Sequence, residues 1–158
     1  MIAISYLFEF KYNWQKTNAP MFAYSILHKG DLPFIFPHCA EHTKTVWRGV
    51  KVDKSIPTSI LNQLNNIEGI EGRASCQGFT DGKSVPTYFI FRMPDSDEKY
   101  IKTFVAKINK NKGYYAGYGV GNRGMTRIGV VSDFSYDENP KEFKSWWTNL
   151  PKIIKKAL

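Results

Sequence analysis

The chain has 158 residues, 42% of them hydrophobic, 15% aromatic and 23% charged, the composition of an ordinary globular protein that closes one core without disulfides or a structural metal. Its net charge of +8 favours anionic partners such as RNA, nucleotides or phosphorylated small molecules, because the summed surface potential concentrates them. No apolar run approaches the roughly 18 residues that cross a bilayer, which excludes a membrane-spanning helix as the organising element.

The opening stretch sets Ile4, Tyr6, Phe8 and Phe10 against Ala3, Ser5, Leu7 and Glu9, a period of two that predicts a strand over Ile2–Phe10. Glu9 and Lys11 follow too closely for a secretory signal, so a cytoplasmic protein with no membrane partner is expected. In that compartment Cys39 and Cys76 are expected as free thiols or ligands. Phe22–Leu27 reads as extended chain, His28–Asp31 as a turn, and Pro33 and Pro37 confine Phe34-Ile35-Phe36 to a sheet edge or an irregular segment.

Ser55, Ile56 and Pro57 open a helix on which Ile60, Leu61, Leu64 and Ile67 recur at helical spacing, and Gly69 stops it. Gly72–Gly78 and Pro86–Met93 then form two strands of a hairpin joined through Thr80-Asp81-Gly82-Lys83. Asp95 and Glu98 make an acidic capping box before a second helix that turns Ile101, Phe104, Val105 and Ile108 inward and ends at Gly113. Tyr114–Val120 and Met125–Phe134 are two further strands around the reversal Gly121-Asn122-Arg123-Gly124. Asn139, Pro140 and Glu142 cap a last helix carrying Phe143, Trp146, Trp147 and Leu150, which Pro151 interrupts or kinks.

From Ser55 the order is helix, strand, strand, helix, strand, strand, helix. Short connections predict a single α+β domain over residues 1–158, with one twisted, largely antiparallel mixed sheet and helices packed on a face. There is no internal repeat, low-complexity tract or linker rich in Gly and Ser.

Several strings bear on chemistry. Gly119–Gly124 matches the dinucleotide-binding glycine pattern, yet the strand-like Met125–Val131 stands where that motif needs a helix, which removes a Rossmann site. Gly78-Phe79-Thr80-Asp81-Gly82 lacks the second acid of a homing-endonuclease motif, Lys83 standing in its place. His38, Cys39 and His42, with Cys76 from elsewhere, are potential ligands, but structural zinc is normally marked by two clean ligand pairs; no metal is assigned. At Ala74–Gly78 small residues after a strand let a ligand approach the backbone, with hydroxyl and amide groups to meet it; the same string also suits a plain tight hairpin with a half-buried thiol.

Arg48-Gly49 ahead of Asp53, Ile60, Leu64 and Asn65 on a helix, the turn Ser75-Cys76-Gln77-Gly78, the strand Tyr88–Arg92, the helix after Asp95, and Gly113–Gly117 before Arg127–Ser132 follow one another in a recognisable order. Over about residues 44–135 this order resembles the methyltransferase family that acts in wybutosine hypermodification of phenylalanine tRNA. Gln77 and Phe79 stand where that family has serine and arginine. The resemblance implies S-adenosylmethionine in a cleft formed by Ser75, Cys76, Gln77 and Gly78 with Gly117 and Gly119, and methylation of a guanosine in RNA whose phosphates meet Arg48, Arg123 and Arg127. Methyl transfer from a sulfonium needs mainly alignment, so no acid–base pair is required.

A second reading is a non-catalytic basic module for nucleic acid or nucleotides. Tyr114, Tyr115 and Tyr118, interleaved with Lys110, Lys112 and Arg123, suit stacking with phosphate contact, although strand alternation equally allows them to be core.

Overall fold

A computed structural model describes residues 42–81, 83–120 and 126–158. The expected strands over Ile2–Phe10 and Phe22–Leu27, the turn His28–Asp31, the Pro33–Pro37 segment, His38, Cys39 and the reversal Gly121–Gly124 with Arg123 lie outside those residues. Within them the chain runs β1 (Lys44–Trp47), β2 (Val50–Asp53), α1 (Thr58–Asn65), β3 (Glu71–Cys76), β4 (Phe79–Asp81), β5 (Lys83–Val85), β6 (Tyr88–Arg92), α2 (Glu98–Ile108), β7 (Tyr115–Val120), β8 (Thr126–Val131) and α3 (Pro140–Ala157).

This is an α+β fold. Its main sheet has four strands in the order β3-β6-β8-β7, every described pairing antiparallel. The strand pairs β1–β2 and β4–β5 form two separate two-stranded sheets. The expected pairing of β3 with β6 is present, and the connection between them carries the small β4–β5 hairpin instead of running as a bare turn.

Helical periodicity places the core. Ile60, Leu61 and Leu64 of α1, Ile101, Phe104, Val105 and Ile108 of α2, and Phe143, Trp146, Trp147, Leu150 and Ile154 of α3 are buried together against Phe89, Phe91, Ile128 and Val130 of the sheet. Ring contacts knit the layers: Phe91 meets Phe104 edge-on at 5.9 Å, and Phe89 meets Trp147 at 6.3 Å. Tyr114 stacks on Trp146 at 5.1 Å while its hydroxyl donates to the Trp146 carbonyl.

Three local expectations are corrected. The N-cap of α2 is Asp97, which accepts from the Tyr100 amide at 2.8 Å, whereas Asp95 sits in the preceding Met93–Ser96 turn. Pro57 is the N-cap of α1, so the helix begins two residues past the Ser55–Ile56 start, and it ends at Asn65, before Ile67. Pro151 lies buried inside α3 and does not interrupt it, the helix running on to Ala157.

One strand irregularity decides which side chains share a face. In the β3–β6 ladder Gly72 opposes Phe91 and Ala74 opposes Ile90, so Arg73 is an extra residue, a β-bulge. Directly opposed residues share a face, hence Ser75 points with Phe89 toward the helices and Cys76 points with Tyr88 to the other side.

Candidate functional site

The β1–β2 hairpin positions two groups of side chains. It turns in two residues, Arg48 at φ 48° and Gly49 at φ 77°, the pair of left-handed conformations that a tight hairpin twist requires. Along β2 successive residues point to opposite sides, so Val52 faces one region and Asp53 another.

On Val52's side lies a cavity of about 310 Å³ between the hairpin, α1 and β3, lined by Trp47, Lys51, Leu64, Arg73, Ser75 and Phe89 among others. Its walls are largely apolar; two cations, Lys51 and Arg73, line it, and a third, Arg48, stands on one of its lining residues. Arg48 lies over the Trp47 ring at 5.3 Å, Lys51 projects from β2, and the bulge aims Arg73 at the cavity. Asn62 of α1 fixes the hairpin tip, accepting from Trp47 Nε1 at 2.9 Å and from the Arg48 guanidinium at 3.4 Å. Glu71 pairs with Arg73 at 3.3 Å, both groups well exposed, so the pair is weak and does not neutralise the site.

On the other side Asp53 is fully buried and its carboxylate is surrounded by donors. His42 Nδ1 lies 3.0 Å from Oδ2, the Gln77 amide donates to the same oxygen at 2.7 Å, and the Lys44 ammonium binds Oδ1. Burial alone raises the carboxyl's pKa, but the hydrogen bonds from His42, Lys44 and the Gln77 amide, with the Lys44 charge, outweigh it and hold Asp53 below the usual carboxylate value. Cys76 Sγ approaches the same His42 Nδ1 at 3.8 Å and accepts from the Gly78 amide at 3.4 Å. Gly78 reaches that position with φ 76°, a conformation glycine adopts without strain. Ser55 Oγ donates to Gln77 Oε1 at 2.7 Å, which ties the turn to the start of α1.

Comparison with protein-family models, with curated proteins and with solved structures gives no match to this chain.

The arrangement departs from the expected cleft. Ser75, Cys76, Gln77 and Gly78 lie at or just beyond the end of β3, at one edge of the sheet, while Gly117 and Gly119 are buried in β7 at the opposite edge. Three strand spacings, roughly 14 Å, separate the two. Register separates them lengthwise as well, because Cys76 is in line with Tyr88, Val131 and Tyr115, whereas Val120, where the reversal begins, pairs with Thr126 at the other end. The two stretches do not wall one cleft. Sequence order suggested proximity, but β6 and β8 insert between them.

Of the nucleic-acid candidates, Arg48 is exposed at the hairpin tip, and Arg127 and Tyr115 are partly exposed, paired in the ladder with Gly119 and Val131 respectively. Tyr114 and Tyr118 are core, which removes them as stacking platforms: one bonds the Trp146 carbonyl and the other reaches Glu98 at 3.4 Å. Sequence reasoning did not single out Trp47, Lys51, Arg73 or Lys44, and met Asp53 only through the family resemblance. The alternation of Val46, Val50 and Val52 about Arg48-Gly49 is the hairpin signal that points to them.

Proposed function

We propose that the protein binds a nucleotide or a single-stranded RNA segment in the cavity beneath the β1–β2 hairpin. The observation that carries this reading is the Trp47 ring, with Arg48 on its face, beside a cavity of about 310 Å³ bordered by Lys51 and Arg73. Ligand sites typically occupy about 300–1,000 Å³, so this one suits a single base with its sugar and phosphate. Aromatic walls accept any base by stacking, and cations nearby meet its phosphates.

S-adenosylmethionine carries two cationic groups against one carboxylate, and a cationic rim favours a phosphate over it. The support therefore lies with an anionic nucleotide ligand, and catalysis is no part of the proposal.

Calorimetry with adenosine monophosphate, with a short unstructured RNA and with S-adenosylmethionine tests this. Saturable binding of the first two that weakens with salt, and falls about fivefold or more in Trp47→Ala and in Arg73→Ala, is the expected result. Because Trp47 also packs on the core, the exposed Lys51→Ala variant provides a fold-neutral check. Binding that ignores all three substitutions, or binding of S-adenosylmethionine alone, overturns the reading.

A further inference from the structure

We propose that His42, Asp53 and Cys76 form a binding site for a zinc-type divalent cation, a site separate from the nucleotide cavity. His42 Nδ1, a carboxylate oxygen of Asp53 and Cys76 Sγ all lie within 4.8 Å of one another. The individual separations are 3.0 Å from nitrogen to Asp53 Oδ2 and 3.8 Å from nitrogen to sulfur, with oxygen and sulfur no more than 4.8 Å apart. Tetrahedral zinc, with bonds of about 2.0–2.3 Å, places its donors about 3.3–3.7 Å apart. The two nitrogen separations thus lie within a few tenths of an ångström of what the ion needs, and any remaining adjustment is a drawing together of oxygen and sulfur.

The geometry also discriminates between metal binding and nucleophilic catalysis. A Cys-His-Asp relay needs the thiol on one imidazole nitrogen and the carboxylate on the other, so that a proton can pass through the ring. Here both approach Nδ1. Three donor atoms converging on one point is what a cation requires, and a relay cannot be assembled from it without turning the ring.

The surroundings hold the donors as a metal needs them. Lys44 occupies Oδ1 and leaves Oδ2 facing His42 and Cys76. The Gln77 amide takes one lone pair of Oδ2, and the Gly78 amide donates to Cys76 Sγ, the pattern of outer hydrogen bonds that orients ligands and favours thiolate. A mixed sulfur, nitrogen and oxygen set selects zinc or its cobalt substitute over magnesium and calcium, which take oxygen donors. With the thiolate and carboxylate each contributing one negative charge, a divalent ion leaves the set neutral, and binding displaces the thiol proton to solvent. The Lys44 side, where the side chain is 27% exposed, provides the approach.

The test is titration of the chelator-stripped, reduced full chain with cobalt(II), followed by zinc competition. The expected result is one cobalt per chain with a near-ultraviolet sulfur-to-cobalt charge-transfer band and intense tetrahedral visible bands, all removed by one equivalent of zinc. Cys76→Ser abolishes the charge-transfer band and weakens binding tenfold or more; His42→Gln weakens binding similarly. Asp53→Asn disturbs a buried network and can unfold the corner, so Cys76→Ser, checked for a native circular-dichroism spectrum, decides the question. Absence of cobalt binding up to millimolar concentration, an octahedral spectrum without the sulfur band, or a band that survives Cys76→Ser each overturns the proposal.

Discussion

Trp147 of α3 donates its indole N–H to the Thr87 hydroxyl at 3.0 Å, inside the core. Thr87 in turn donates to the Cys76 carbonyl and exchanges backbone hydrogen bonds with Ser132 and Phe134, so one threonine ties the last helix, the end of β3 and the end of β8 together. Thr87→Val keeps the shape but leaves the indole N–H and the Cys76 carbonyl without this partner. Burying an unpaired polar group costs about 1–3 kcal/mol, so urea denaturation is expected to show a loss of about 2–4 kcal/mol. An unchanged midpoint removes Thr87 as the link.

Arg48 separates stability from binding. Its left-handed backbone costs a residue with a side chain about 1–2 kcal/mol, a penalty asparagine tolerates better. Arg48→Asn also gives up the ring contact and the Asn62 bond, together worth about 1 kcal/mol at an exposed position. These terms offset each other. Thermal unfolding is expected within about 0.5 kcal/mol of the parent, while RNA affinity falls severalfold and its salt dependence flattens.

Asp53 sets an acid limit in the metal-free protein. Its folded carboxyl holds its proton less tightly than the unfolded one, so its contribution is complete above the unfolded pKa and is lost as pH falls through the folded value. Asp53→Asn leaves Lys44 and the Gln77 amide poorly matched and is expected to cost about 2–4 kcal/mol at neutral pH. The two denaturation curves converge as pH drops below the carboxylate range; a constant gap at all pH values contradicts the assignment.

Tyr118 acts at the alkaline end. Burial, the Glu98 charge and the hydrogen bond to Glu98 push its hydroxyl from 10.0 up to about 12. The folded state therefore retains a proton that the unfolded state loses, and stability present below pH 10 declines as pH rises toward 12. Phenolate absorbance of the Glu98→Gln variant is expected to show Tyr118 titrating at lower pH than in the parent.

Much of the fold was legible because its helices carry clean apolar stripes. Ile101, Phe104, Val105 and Ile108, or Phe143, Trp146, Trp147 and Leu150, have no other arrangement that buries them. The strands Tyr88–Arg92 and Tyr115–Val120 were equally clear, but their neighbours were not. Nothing local states that β8 pairs with both β6 and β7, and that order alone decides that Cys76 and Gly119 sit at opposite edges. The candidate sites were harder still. The cavity depends on a four-residue strand pair around Arg48-Gly49, and the Asp53 cluster joins residues 34 positions apart along the chain, His42 and Cys76.

The single unpaired residue in β3 acts as a phase shifter. Up to Gly72 the strand keeps one alternation, and past Arg73 it keeps the opposite one, so that sulfur is delivered outward and the Ser75 hydroxyl inward. Were Arg73 to take an ordinary place in the ladder instead of bulging, everything that follows would invert, turning the thiol toward the helix side and away from Asp53, whereas excising Arg73 as a whole would leave each later residue on its present face. The placement of both proposed sites thus hangs on a counting rule, odd against even, set at one position.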